Sequence, residues 1–253
     1  MRRSFVATLT LCCACGAFPD VDVYSGARAD ASEDAIADGA LVETGADVAR
    51  IDGGLGFCAS SSHTFCADFD EGSLLAGWDG SNTDPTGAMS LDPNAKSAPS
   101  SALMTLQRHE TQVLYENLEK AWPKTGHVVV EFDILVETPA WKMNDVNAGI
   151  VTMSFNPIGN IAVSYGQGYV TIGAMGGQMN GNGPLPSGSW FHMKLDADPA
   201  GSLHVLAADQ TIDQTFPKVV GQTKTTLNLG ISGYNSPCPE FRVHYDNVTV
   251  DFL

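Results

Sequence analysis

The sequence predicts an all-β domain built from two antiparallel sheets, a sandwich or a barrel, over residues 57–253. Three observations predict it. Ten stretches alternate apolar and polar residues with a period of two, the pattern of half-buried strands. Clusters of Gly, Asn, Pro and Ser separate these stretches and read as turns. No segment carries a long 3.6-residue period. No repeat of fixed length is visible either, which argues against a propeller or a solenoid.

The charge divides the chain into three segments. The whole chain of 253 residues has a formal charge of −16, from 29 acids against 13 bases. A nucleic-acid partner is excluded on that balance, because phosphate binding needs a basic face. Residues 1–15 carry +2, residues 16–56 carry −7 and the remainder carries −11.

Residues 1–15 read as an export signal. Arg2 and Arg3 precede an apolar run from Phe5 to Ala14 that is too short to span a bilayer. The run ends in Ala14-Cys15-Gly16, which resembles the lipobox of bacterial lipoproteins. That resemblance implies Cys15 as the lipidated first residue of the mature chain, although Cys12 stands where the pattern usually has Leu. The alternative is an ordinary signal peptide cut after Ala17. Gly16 stands where some lipoproteins carry an inner-membrane retention Asp, so the implied address is the outer membrane, with an extracellular or periplasmic location as the alternative.

Residues 16–56 form an acidic linker rich in Ala, Asp and Gly. It has no apolar stripe, cannot bury enough surface to offset its ordering entropy, and its like charges extend it. We expect a disordered tether.

The strands follow in order: Ser101–Gln107, Thr111–Asn117, His127–Val136, Ala148–Phe155, Ile161–Tyr165, Tyr169–Ala174, Trp190–Asp196, Leu203–Ala207, Thr226–Ile231 and Arg242–Phe252. Within His127–Val136, the residues Val130, Phe132, Ile134 and Val136 face inward. Glu131 and Asp133 face solvent.

Three motifs in this segment resemble a family. Phe65-Cys-Ala-Asp68-Phe-Asp70-Glu-Gly followed by Gly77-Trp78-Asp resembles the opening of concanavalin A-like lectin/glucanase domains, which include laminin-G-like modules. Trp190-Phe-His-Met-Lys-Leu resembles their central strand, with Leu203-His-Val-Leu as the next. Val243-His-Tyr-Asp246-Asn247-Val248-Thr-Val250 resembles their closing strand. The resemblance covers residues 57–253. It implies a jelly-roll β-sandwich with first and last strands adjacent, and Trp78 and Trp190 in structural positions. It also implies a structural Ca²⁺ held by Asp68 or Asp70 together with Asp246, since Ca²⁺ takes hard oxygens.

Export permits disulfides. The domain holds Cys58, Cys66 and Cys238. Cys58 and Cys66 lie eight residues apart across a Ser-rich turn, and this local bridge is the expected pairing. If first and last strands are neighbours, Cys238 could instead reach the first strand. Within residues 57–253 no CxxC or HxxxH pair suggests zinc.

The one acidic cluster with a catalytic look is Glu131-Phe-Asp133-Ile-Leu-Val-Glu137. Retaining glycosidases hold two carboxyls about 5–5.5 Å apart. Glu131 and Glu137 are six residues apart, about 20 Å of extended strand at roughly 3.3 Å each. We assign no catalytic residue. The candidate sugar contacts are Trp122, Trp141, Tyr165 and Tyr169, with amides from a Gln178-Met-Asn180-Gly-Asn182 loop. The reading is a lipid-anchored or secreted surface domain that binds a glycan or surface polymer without catalysis. The alternatives are a glycoside hydrolase or polysaccharide lyase of the same fold, and an adhesive domain with no small ligand.

Overall fold

A computed structural model describes residues 56–107, 115–137, 148–156, 159–166, 169–174, 177–180, 186–232 and 240–253, with the backbone alone for 166–180. The expected signal peptide with Cys15, the linker up to residue 55, Trp141 and Cys238 lie outside the described residues.

After a 3-10 turn at Phe57–Ser60, fifteen strands follow. The first seven are β1 (Phe65–Ala67), β2 (Gly80–Thr83), β3 (Gly87–Asp92), β4 (Ser101–Leu106), β5 (Tyr115–Trp122), β6 (Val128–Glu137) and β7 (Ala148–Asn156). Then come β8 (Gly159–Gly166), β9 (Tyr169–Ala174), β10 (Gly177–Asn180) and β11 (Phe191–Asp198). The last are β12 (Ser202–Ala207), β13 (Gln210–Thr215), β14 (Lys224–Ser232) and β15 (Phe241–Phe252).

They form two antiparallel sheets. One has eight strands in the order β13-β12-β11-β6-β15-β4-β3, with β1 also on β15; the other has seven, β10-β9-β8-β7-β14-β5-β2. The fold is a jelly-roll β-sandwich. First and last strands pair, with Phe65 opposite Val250, as the resemblance implies.

Alternation builds the core between the sheets. On β6, Val128, Val130, Phe132, Ile134 and Val136 are buried, and on β11 Phe191, Met193, Leu195 and Ala197 are buried. From the seven-stranded sheet, Val151, Met153, Phe155, Leu227 and Leu229 meet them. Each such side chain contributes about 1.5–3 kcal/mol relative to exposure. The Tyr245 hydroxyl crosses the core and donates to the Ile150 carbonyl oxygen at 2.7 Å, tying β15 to β7. A buried phenol needs such a partner.

The closing motif has a local cause. A bulge interrupts the pairing of β15 with β6 between Asp246 and Thr249, and Asn247 sits there at φ 52°. Asn tolerates that left-handed backbone better than most residues.

Several strands differ from expectation, and β13 (Gln210–Thr215) is among those not expected. The strand expected over Thr111–Asn117 runs instead over Tyr115–Trp122. Gly177–Asn180, read as part of a loop, pairs with β9 as a strand. β2 and β3 carry too few apolar residues to show a period.

Candidate functional site

The open face of the seven-stranded sheet forms a cleft of about 620 Å³. Alternation places its lining. Tyr115 and Asn117 project from β5, Asn82 from β2, Asn228 from β14, Thr152 and Ser154 from β7, and Asn160 and Ala162 from β8. Gly230, Ile231 and Ser232 of β14 complete it. On β7 and β14 the intervening residues Met153, Leu227 and Leu229 point to the core, so the odd–even pattern that builds the sandwich also builds the cleft.

Cross-strand register sets these groups in rows. Asn82 lies opposite Asn117, and Asn117 opposite Gly230. Asn228 lies opposite Thr152, and Ser154 opposite Asn160. Gly230 has φ 147°, and a Cβ there would lie 2.0 Å from the Glu116 carbonyl oxygen. A side chain at this position would force β14 away from β5. Tyr115 is 51% exposed, and among the described residues it is the one large aromatic ring open at the cleft. Four amides and several hydroxyls can each both donate and accept hydrogen bonds, the same capacity that sugar hydroxyls have.

Behind this face, Glu116 points inward and is fully buried. Its Oε1 accepts the Asp84 N–H at 2.8 Å, while Oε2 has no partner. Burial pushes its carboxyl up to about 7, against the Asp84 N–H bond and with help from the Asp84 charge.

The outer face of the eight-stranded sheet is chemically different. All five described histidines lie against carboxylates there. His63 meets Asp251 and His127 meets Asp196, each at 2.6 Å. His204 meets Asp213. His192 sits 3.2 Å from Asp133 and 3.4 Å from Glu131. Buried His244 sits 3.1 Å from Glu137. The Asp133 bond is the largest cause that raises the His192 imidazole above its ordinary value.

The sequence-derived candidates are dispersed. Trp122 is buried, edge-on to Phe65 at 5.9 Å and to Phe252 at 5.6 Å, so it is a core ring and offers no face to a sugar. Tyr165 is buried beside Phe241; burial raises its phenol. Both expectations are corrected: alternation turns these rings inward. Tyr169 opens β9 and Asn180 ends β10, and their side chains lie outside the described residues. Trp78 is a core residue, stacked on Phe69 at 6.4 Å.

The three carboxylates expected to share Ca²⁺ are each turned to backbone donors. Asp246 Oδ2 accepts the N–H groups of Lys96 and Ser97, both at 2.8 Å, and Oδ1 accepts the Asn247 N–H. Asp246 therefore fastens the turn before β4. Asp68 accepts the N–H groups of Cys58 and Asp70, and Asp70 Oδ1 accepts that of Ser100. Among the described residues no three His, Cys, Asp or Glu side chains converge on a metal position. Asp70 Oδ2 is buried and has no hydrogen-bond partner. The Cys58–Cys66 disulfide is formed and fastens the 3-10 turn to β1.

Glu131, Asp133 and Glu137 lie on the outer face of the eight-stranded sheet, on the far side of the sandwich from the cleft. Lys194 and His192 engage Glu131, and Arg242 and His244 engage Glu137. The cleft residues Asn82, Asn117, Asn160, Asn228 and Tyr115 escaped the sequence reading. Their signal was present: Asn is disfavoured inside strands, and Asn117 and Asn228 stand in segments with clear alternation.

No protein-family model matches the chain, and no curated protein matches it. Solved structures do. An endo-β-1,4-glucuronan lyase from the fungus Trichoderma reesei superposes with a TM-score of 0.61 at 13% identity, covering 76% of this chain and 96% of that one. A cellulose-induced protein gives 0.55 at 15%, covering 75% and 97%. The binding domain of botulinum neurotoxin DC, solved with rat synaptotagmin II, gives 0.52 at 11%, covering 76% of this chain and 49% of that one. At such identities the likeness shows the fold, and that fold is a jelly-roll β-sandwich consistent with the concanavalin A-like architecture.

Proposed function

We propose that residues 57–253 bind carbohydrate, a glycan or surface polymer, in the cleft of the seven-stranded sheet, without catalysis. The observation that carries this is the lining: four asparagine amides and the Thr152, Ser154 and Ser232 hydroxyls, beside the exposed Tyr115 ring. Few convergent polar groups and an aromatic plate are what a sugar site combines. Two neighbours of the same fold bear polysaccharide-related names, the glucuronan lyase and the cellulose-induced protein, which supports the reading. The experiment is a glycan array with the purified protein. Retention of at least one glycan class, lost on competition with the soluble oligosaccharide, is the expected result. An array with no retained glycan contradicts it.

The second reading, a lyase or hydrolase, draws on the glucuronan lyase likeness and on Tyr115, a phenol able to move a proton. Against it, the described lining holds no carboxylate and no imidazole. Sustained turnover of any array-positive glycan, lost in Tyr115→Phe, would establish this reading in place of the first.

The chain is further proposed to be exported and lipid-anchored through Cys15. The signal-like residues 1–15 and the Cys58–Cys66 bridge support an oxidising compartment. Cys15→Ser should move the protein from the membrane to the soluble fraction; continued membrane fractionation would contradict the anchor.

A further inference from the structure

We infer that the cleft takes a neutral glycan chain rather than a polyuronate; this rests on the carbohydrate reading above. The amides come from four different strands, β2, β5, β8 and β14. With β7 between β14 and β8, the polar floor crosses five adjacent strands. Neighbouring strands lie about 4.8 Å apart, so the floor runs about 19 Å across the sheet. That length suits a chain of several sugar rings laid across the strands.

The chemistry of the floor then selects among chains. An uncharged hydroxyl both donates and accepts, and so does each amide in the row formed by Asn82 and Asn117 and in the row formed by Asn228 and Thr152. A carboxylate only accepts. It gains most from a guanidinium or ammonium group, and among the described residues none that lines the cleft carries either. Glu119 stands directly opposite Asn228 in the pairing of β14 with β5 and so carries a negative charge on the same face of the sheet. The chain as a whole is at −16. Each uronate would therefore lose water against a floor that offers it amides, hydroxyls and the Glu119 carboxylate, in an anionic field. The histidines and their carboxylates are on the opposite sheet.

The test is calorimetric titration of the full chain with two sets of oligosaccharides of equal length. One set is neutral, from β-glucan, xylan and galactan. The other is anionic, from alginate and polyglucuronate. Each is run at low and at moderate salt. The inference expects binding from the neutral set, at least tenfold tighter than any anionic chain, with affinity changing less than twofold with salt. Asn228→Ala should weaken that binding by tenfold or more while the melting temperature stays near that of the parent. Tighter binding of a uronate chain, weakened by salt, overturns the inference and leaves the carbohydrate reading standing. Absence of binding by both sets at millimolar concentration overturns both.

Discussion

Asn82 donates its Nδ2–H to Asn117 Oδ1 at 3.0 Å, across the pairing of β2 with β5. The bond turns two side chains from different strands into one oriented amide pair at the cleft. Asn82 keeps its carbonyl oxygen for a ligand, and Asn117 keeps its amino group. Orientation before binding lowers the entropy lost on binding. Asn82→Ala should therefore weaken glycan binding by roughly tenfold, the effect of about 1–1.5 kcal/mol for one hydrogen bond and its orientation. Asn82 is exposed, so the melting temperature should hardly move. An unchanged affinity, measured calorimetrically, would remove this pair from the site.

Gly230 controls how closely β14 approaches β5. Gly230→Ala would place Cβ 2.0 Å from the Glu116 carbonyl oxygen, at φ 147°. The expected loss is roughly 2–4 kcal/mol in denaturant unfolding, a strained backbone plus a displaced strand. A loss under about 0.5 kcal/mol would show that the strands separate freely there.

Glu116 makes stability depend on pH. Its folded carboxyl is raised to about 7 from 4.5. A raised acid costs nothing below its unfolded value. The cost grows as pH rises from 4.5 toward 7 and stays level above. Glu116→Gln removes it. The variant should match the parent near pH 4 and exceed it at pH 8 by on the order of 1–3 kcal/mol. Equal stabilities at pH 8 would contradict the burial of this charge.

His192 and Asp133 stabilise each other across β11 and β6. Burial pushes Asp133 up, but bonds from His192 and Asn247 outweigh it and hold the carboxyl below 3.8. The imidazole is held above 6.5. The His192 contribution is complete below pH 6.5 and is lost as pH rises through its folded value. The Asp133 contribution is complete above pH 3.8 and is lost as pH falls through its own. In an NMR titration His192 should titrate above 6.5, and Asp133→Asn should bring it back toward that value. An unshifted His192 in the parent would contradict the pairing.

Much of the fold was legible in the sequence, and the cleft was not. Alternation in Val128–Glu137 and Phe191–Asp198 identifies core strands because half of each is buried in one sandwich layer. β2 and β3 lie at sheet edges and have few buried residues, so no period marks them. The aromatic residues misled. Trp122 and Tyr165 looked like sugar plates, yet each falls on the inward parity of its strand. Parity could have assigned them only with the strand ends known, and the strand holding Trp122 was placed four residues too early. Asp246 was legible as a motif but not in its role, because its partners Lys96 and Ser97 lie about 150 residues away in sequence. The cleft asparagines converge from β2, β5, β8 and β14, strands whose order in the sheet no local pattern reveals.

The measurement that tests the central claim most directly is an NMR titration of the side-chain amides with the array-positive oligosaccharide. Saturable shifts are expected at Asn82, Asn117, Asn160 and Asn228, while the His192 and His244 resonances on the opposite face stay in place. Shifts confined to the histidine face, with the four asparagine amides unmoved, would contradict it.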